Sequence, residues 1–269
     1  MNKFTENLPK KYTKSIWRAI MEFDMISPGD RIMVGFSGGK DSAFLLYALK
    51  VLQKQNVLPY ELAAVTIDPQ FAGSSLKAHL HELCQELEIP YYYEALPQFE
   101  ELIFNQDKSQ NACAQCAFFR RGAINRLAAE HGYNKLALGH HHDDAVETFL
   151  MSILHSGQIT TFLPVTPQDR SGITVIRPLI YLREKEILKA KEFFPYQAVD
   201  SCCPLDGNST RSKIKGLIKE LNSENKSLYN NLGAAMRVPK DRVILWPPVM
   251  KREEMREAYL KKMAWKREK

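Results

Sequence analysis

Val34-Gly35-Phe36-Ser37-Gly38-Gly39-Lys40-Asp41-Ser42 is the stretch on which the reading of this chain turns. The apolar run Arg31–Phe36 that leads into it has the character of a buried strand, and Asp41–Gln55 after it reads as a helix. A strand feeding a helix through two consecutive glycines brings backbone N–H groups and the positive end of a helix dipole to one spot, which favours an anion. The glycines let the backbone close around phosphate oxygens without Cβ clashes. Ser37 and Ser42 add hydroxyl donors, and Lys40 adds positive charge. Two familiar phosphate loops are excluded. A Walker A loop needs glycine at position 34 and Ser or Thr at 41, where this chain has Val34 and Asp41; the dinucleotide fingerprint needs glycine where Ser37 stands. A Gly-Ser turn without a ligand is the bland alternative, and the strand–helix setting weighs against it.

Outward from the loop the same alternation repeats. Further strands are predicted at Glu61–Ile67, Pro90–Ala95, Asn134–Leu138 and Ile173–Ile176, with helices near Ser74–Glu88, Cys116–His131 and Asp143–Leu154. This pitch implies a doubly wound α/β fold, a parallel sheet covered on both faces. Ligands in such folds sit at the carboxyl ends of the strands, where the strand order reverses. Before the first strand, Tyr12–Phe23 reads as a helix stopped by Ser27-Pro28-Gly29-Asp30. After Phe194 the pattern changes: Pro195 breaks the chain, Cys202-Cys203-Pro204 is irregular, and Ser209 caps a helix running through Leu221. A helix over Lys226–Arg237, the break at Trp246-Pro247-Pro248 and a charged helix from Lys251 complete the chain. The predicted organisation is an N-terminal helical segment (1–29), an α/β core domain (30–200) and a small helical C-terminal region (201–269), basic at its end.

The composition of the 269 residues, 45% hydrophobic and 25% charged with 13 Gly and 14 Pro, excludes disordered and collagen-like classes. No apolar run approaches the ~18 residues needed to span a bilayer, and the amino terminus carries no secretory-type apolar stretch. A cytoplasmic protein with no membrane partner is the expectation. The net charge of +6 is uneven, with +4 in residues 1–20, +4 in residues 251–269 and about −2 over the rest. Such ends fit a polyanion-binding surface; solvated amphipathic helices are the alternative.

The fourth strand closes on Gly139-His140-His141-His142-Asp143-Asp144. A carboxylate there can hold Mg2+ beside a triphosphate or move a proton. His140-x-His142-x-Asp144 is also the start of a dinuclear metal motif, but position 145, where its last histidine belongs, is Ala. A capped helix start is the structural reading. Of the five cysteines, Cys84 lies in a helix pattern and reads as core. Cys113 and Cys116 form a C-x-x-C that opens a helix, with Arg120 and Arg121 following; the dipole and these charges stabilise thiolates for metal binding or disulfide exchange. A closed zinc site wants four ligands, and only Cys202 or Cys203 remains as a third thiolate.

Ser37-Gly38-Gly39-Lys40-Asp41-Ser42 resembles the signature of the PP-loop ATP pyrophosphatases, which cleave ATP between the α and β phosphates. Gly139-His140-x-x-Asp143-Asp144 is similar to the G-H-x-x-D-D motif of the PP-loop enzymes that sulfurate tRNA. With Cys113-x-x-Cys116, Arg120-Arg121-Gly122, Ile176-Arg177-Pro178-Leu179 and Arg183-Glu184-Lys185-Glu186, the chain looks like the tRNA 2-thiocytidine synthetases over roughly residues 8–221. The resemblance implies Mg-ATP on Ser37, Gly38, Gly39, Lys40, Asp41 and Ser42, with Ile67, Gly139 and His140 also at the nucleotide. It implies catalytic roles for Lys40, Asp143 and Arg120, and a [4Fe-4S] cluster on Cys113, Cys116 and Cys203. Cys203 is preferred to Cys202 because Cys203-Pro204 with Ser209 and Arg211 resembles a C-P-x-x-x-x-S-x-R pattern of the related thiouridine branch. Arg120 stands where that branch has a catalytic lysine; arginine is no proton acceptor but holds negative charge. Implied partners are tRNA and a sulfur donor (a protein persulfide or sulfide), and a homodimer is the implied assembly. The expected reaction is adenylation of a base oxygen, in an anticodon-loop cytidine, followed by displacement of AMP by sulfur. The alternative is a cluster-free PP-loop ligase with a nitrogen nucleophile, of the lysidine synthetase or amide-forming type.

Overall fold

Met33 on the first strand packs into one apolar cluster while its neighbours Ile32 and Val34 pack into another, so this strand is buried on both faces. In the computed structural model the described residues are 7–71, 76–96, 112–169, 171–199, 203, 210–237, 251–257 and 260. The strands are β1 (Arg31–Gly35), β2 (Glu61–Asp68), β3 (Tyr91–Ala95), β4 (Lys135–Ala137), β5 (Val165–Gln168) and β6 (Ile173–Ile176). The helices are α1 (Lys10–Glu22), α2 (Lys40–Gln55), α3 (Lys77–Glu86), α4 (Ala112–Glu130), α5 (His142–Ser156), α6 (Glu184–Lys189), α7 (Thr210–Glu224) and α8 (Leu228–Ala235).

The sheet runs β3-β2-β1-β4-β6-β5. β1 pairs parallel to β2 on one side, with Val34 opposite Ala64, and to β4 on the other, with Val34 opposite Ala137. The chain therefore steps outward from β1 to β3 and returns to lay β4 on the opposite side of β1. This is the reversal that opens a crevice at the strand ends. Ile16, Ile20, Phe44, Leu45, Leu83, Ile187 and Phe194 cover one face. Ile124, Leu127 and Ala128 of α4 cover the other, against Val65, Leu136 and Val175. Each large side chain buried this way contributes about 2–3 kcal/mol.

The predicted parallel sheet is modified at one edge. β5 pairs antiparallel to β6, with Pro167 opposite Thr174. Proline cannot donate to a ladder, so an outermost strand is where it is tolerated, and the same proline hid the strand from pattern reading. Helix α7 packs on α5 through Ile214, Ile218 and Val146, and Leu228, Tyr229 and Leu232 of α8 pack against the same cluster. Two compact units emerge, Met1–Met236 and Arg237–Lys269. In the second, residues 252–257 are helical. Among the described residues no helix is long and apolar enough to cross a membrane.

Candidate active site

The loop between β1 and α2 is held by its own short side chains. Ser42 Oγ accepts from the Ser37 N–H (3.2 Å), lies 3.1 Å from Ser37 Oγ and donates to the Gly39 carbonyl (3.0 Å). Gly38 has φ +84°, a conformation that side chains rarely adopt, and an added Cβ would meet Leu80 at 3.1 Å. Its carbonyl accepts from the Val199 N–H and the Tyr196 hydroxyl, each at 3.0 Å. Gly39 precedes the first residue of the sixteen-residue α2, and its N–H donates to Ser37 Oγ at 3.4 Å.

Gly139 closes β4 against this loop. A Cβ at 139 would lie 3.0 Å from the backbone of Asp41 and Ser42, so the strand end touches the helix start directly. This backbone contact by itself requires glycine at 139. The three adjacent histidines do three different things. His140 faces Phe162 at 5.1 Å, and burial pushes its pKa down to about 4, so it is neutral. His141 caps α5: its Nδ1 accepts from the Asp144 N–H (3.4 Å), and Asp144 Oδ2 accepts from the His141 N–H (2.9 Å). His142 lies 6.5 Å from Tyr229 of α8. His140 and His142 have separate surroundings, so the partial dinuclear metal motif has no common centre.

The adjacent carboxylates also divide. Asp143 accepts two bonds from the Arg183 guanidinium (2.9 and 3.1 Å) and one from the Glu184 N–H (2.9 Å). Burial opposes its charge, but Arg183 outweighs this and holds the carboxyl below its ordinary range. It is engaged in the framework and does not line the cleft. Asp144 does, paired to Arg211 Nη1 at 3.1 Å. Glu147, one turn on, is buried, and burial together with Asp144 pushes its pKa up to about 7 despite Arg211 at 3.9 Å.

These elements enclose a cleft of about 340 Å3 at the strand ends, lined by Ser37, Asp41, Ile67, Arg120, His140 and Arg211 among others. Ser42 and Gly139 line it too, so most of the predicted nucleotide residues meet there. Lys40 is not part of the lining; its ammonium lies 3.0 Å from Asp41 Oδ2 and 3.0 Å from Glu184 Oε1. Burial works against that charge, but Asp41 and Glu184 outweigh it and raise the Lys40 pKa. Arg120 comes from α4, and Cys116 stands four residues earlier on the same helix, hence on the same face one turn away. Cys113 lies in the first turn of α4, and its side chain falls outside what the structure describes, as do Cys202 and Ser209. Cys116 and Cys203 are both half-buried. Cys84 is buried, which pushes its thiol up to about 12. Arg211, Asp144 and Glu147 were not predicted as site residues. The i,i+3 spacing of the two acids on one helix face was the available signal.

A glycine-bearing loop that opens a helix at a sheet's switch point defines a nucleotide-binding α/β protein of the phosphate-loop kind. A family model described as a PP-loop domain matches residues 8–197. A tRNA-cytidine(32) 2-sulfurtransferase of Geobacter metallireducens is 36% identical over 241 residues, covering 88% of this chain and 92% of the relative. One from Legionella pneumophila is 35% identical, covering 88% and 84%. The solved U34-tRNA thiolase NcsA from Methanococcus maripaludis, with its [4Fe-4S] cluster, shares the fold with a TM-score of 0.64 at 21% identity, over 85% of this chain and 80% of that one. The chain belongs to the PP-loop family, in the group that these tRNA-cytidine(32) 2-sulfurtransferases represent.

Proposed function

We propose that this protein is an ATP-dependent tRNA sulfurtransferase that replaces the C2 oxygen of a cytidine with sulfur. The observation that carries the reading is one cleft in which Ser37, Ser42 and Asp41 of the phosphate loop face Arg120, one helical turn from Cys116. The base oxygen attacks the α-phosphate, pyrophosphate leaves, and adenylation turns that oxygen into a leaving group. Lys40 and the loop amides stabilise the departing pyrophosphate, and Arg120 holds charge that develops at the base or the α-phosphate. Ile67 lines the cleft, and adenine packs against it in this reading. The neutral His140 beside it offers a hydrogen bond to nucleotide or base.

Asp41 fits Mg2+: its Oδ1 is buried in the cleft wall without a hydrogen-bond partner. The role expected of Asp143 passes to Asp144, the carboxylate that lines the cleft. The donor set also fits an iron–sulfur cluster, because Cys113 and Cys116 are one helical turn apart on the element that delivers Arg120. Cys113, Cys116 and Cys203 would hold a [4Fe-4S] cluster, which when bound supplies iron-held sulfur to the activated carbon. Basic residues at the two ends of the chain grip the tRNA backbone. The sulfur comes from a protein persulfide or sulfide, and the protein acts as a cytoplasmic homodimer. The N-terminal segment (1–29) and the C-terminal region (201–269) serve the core domain (30–200) as its RNA-binding and cluster-completing parts.

The test is anaerobic reconstitution of the full chain with iron and sulfide, then incubation with ATP and unmodified tRNA. Thiocytidine in the nucleoside digest, with stoichiometric AMP and pyrophosphate, is the expected result. ADP and phosphate as products would reject the loop chemistry. Retention of the cluster after Cys113→Ala, Cys116→Ala and Cys203→Ala together would reject the ligand set.

A further inference from the structure

Helix α7 reaches the site at two points spaced one turn apart. Arg211 donates to Asp144 Oδ1 (3.1 Å) and to Thr148 Oγ1 (3.1 Å), and it lines the cleft. Four residues on, on the same helix face, Lys215 Nζ lies 2.6 Å from Glu184 Oε2. The other oxygen of that carboxylate, Glu184 Oε1, lies 3.0 Å from the Lys40 ammonium. Glu184 is the first residue of α6, where the helix dipole favours an anion, and its own N–H bonds Asp143. Its carboxylate is four-fifths buried and spans two cations from different elements. Lysine carries its charge on a long, flexible stem, so an ammonium held in place beforehand loses less freedom when a phosphate arrives.

We infer that Glu184 is a positioning residue for the phosphate loop. It fixes the Lys40 ammonium beside the loop, and Lys215 of α7 in turn fixes Glu184. The helix that carries Arg211 into the cleft is thereby aligned with the pyrophosphate-binding loop through a chain of three side chains. This rests on the reading of Ser37–Ser42 as the triphosphate site. Glu184 itself touches no substrate; it acts through Lys40.

The experiment is calorimetric titration of the full chain with α,β-methylene-ATP and Mg2+, alongside circular dichroism for folding. Glu184→Gln is expected to weaken binding about tenfold and Lys215→Met about threefold. On the inference that Lys215 acts on the loop through Glu184, the double variant is expected to bind no more weakly than Glu184→Gln alone. Lys215→Arg, which keeps the charge, restores wild-type affinity; a merely structural role would show no such charge-dependent rescue. Unchanged or tighter binding by Glu184→Gln would overturn the inference, as would losses that multiply in the double variant. Should Glu184→Gln fail to fold, Lys215→Met and Lys215→Arg decide, since Lys215 is half exposed: equal affinity in the two overturns the inference, and weakening confined to Lys215→Met supports it. Wild-type protein that does not bind the analogue counts instead against the triphosphate reading itself.

Discussion

The two walls of the cleft are built by different means. The phosphate-loop wall takes its shape from local bonds: Ser37, Gly39 and Ser42 bond one another across at most five residues, the fit at Gly139 is backbone against backbone, and remote Tyr196 and Val199 only strap the Gly38 carbonyl from outside. The other side, lined by Asp144 and Arg211, is backed by a web of long charged side chains drawn from distant segments. Arg183 reaches Asp143 across 40 residues and Arg211 reaches Asp144 across 67. A local wall is fixed by chain geometry and suits a ligand part that never varies, such as a triphosphate. A wall of remote ion pairs depends on tertiary packing, and a change in any one element moves it.

The largest effect expected from this contrast is thermodynamic. Arg183→Ala leaves the buried Asp143 carboxylate without its charge partner and should cost about 3 kcal/mol of stability. Ser37→Ala removes only a local hydroxyl, at about 1 kcal/mol. Denaturant melts of both variants check this, and equal losses would erase the distinction between the walls. Next comes Gly139→Ala, whose Cβ has only main chain to push against. A roughly hundredfold fall in pyrophosphate release is expected from displacement of the loop, measured in a coupled assay at saturating ATP.

Glu147 sharpens the second wall through pH. Its carboxyl titrates near 7 in the fold and near 4.5 when unfolded, so the folded state favours the protonated form. The stability that this contributes is complete below about pH 4.5 and is lost as pH rises through 7. Glu147→Gln should therefore be more stable than wild type at pH 8, by up to about 3 kcal/mol, with the advantage fading toward pH 5. Melting temperatures at the two pH values decide it. The smallest effect belongs to Cys84, which lies in the core apart from either wall. Cys84→Ala should leave iron content after reconstitution unchanged and cost about 1 kcal/mol.

Legibility in the sequence follows the same division. The loop, its strand and its helix were readable because their determinants are contiguous: two glycines and two serines between a short apolar run and a helix pattern. The choice between Asp143 and Asp144 was not, because neighbouring helical residues point about 100° apart and distant arginines decide which one faces the cleft. Arg183-Glu184 was visible as part of a motif, yet its contacts with Lys40 and Lys215 lie far off along the chain. β5 escaped notice because Pro167 argues against a strand wherever it is not outermost. Arg120 was found through the resemblance, which puts a functional residue four positions after Cys116.

The strap across Gly38 has a geometric corollary. Val199 donates its N–H to the Gly38 carbonyl, and only four residues of chain lead from there to Cys203. Four peptide units stretch no further than about 14 Å. The polypeptide itself thus leashes this thiol to the neighbourhood of the loop, whatever path the intervening links take.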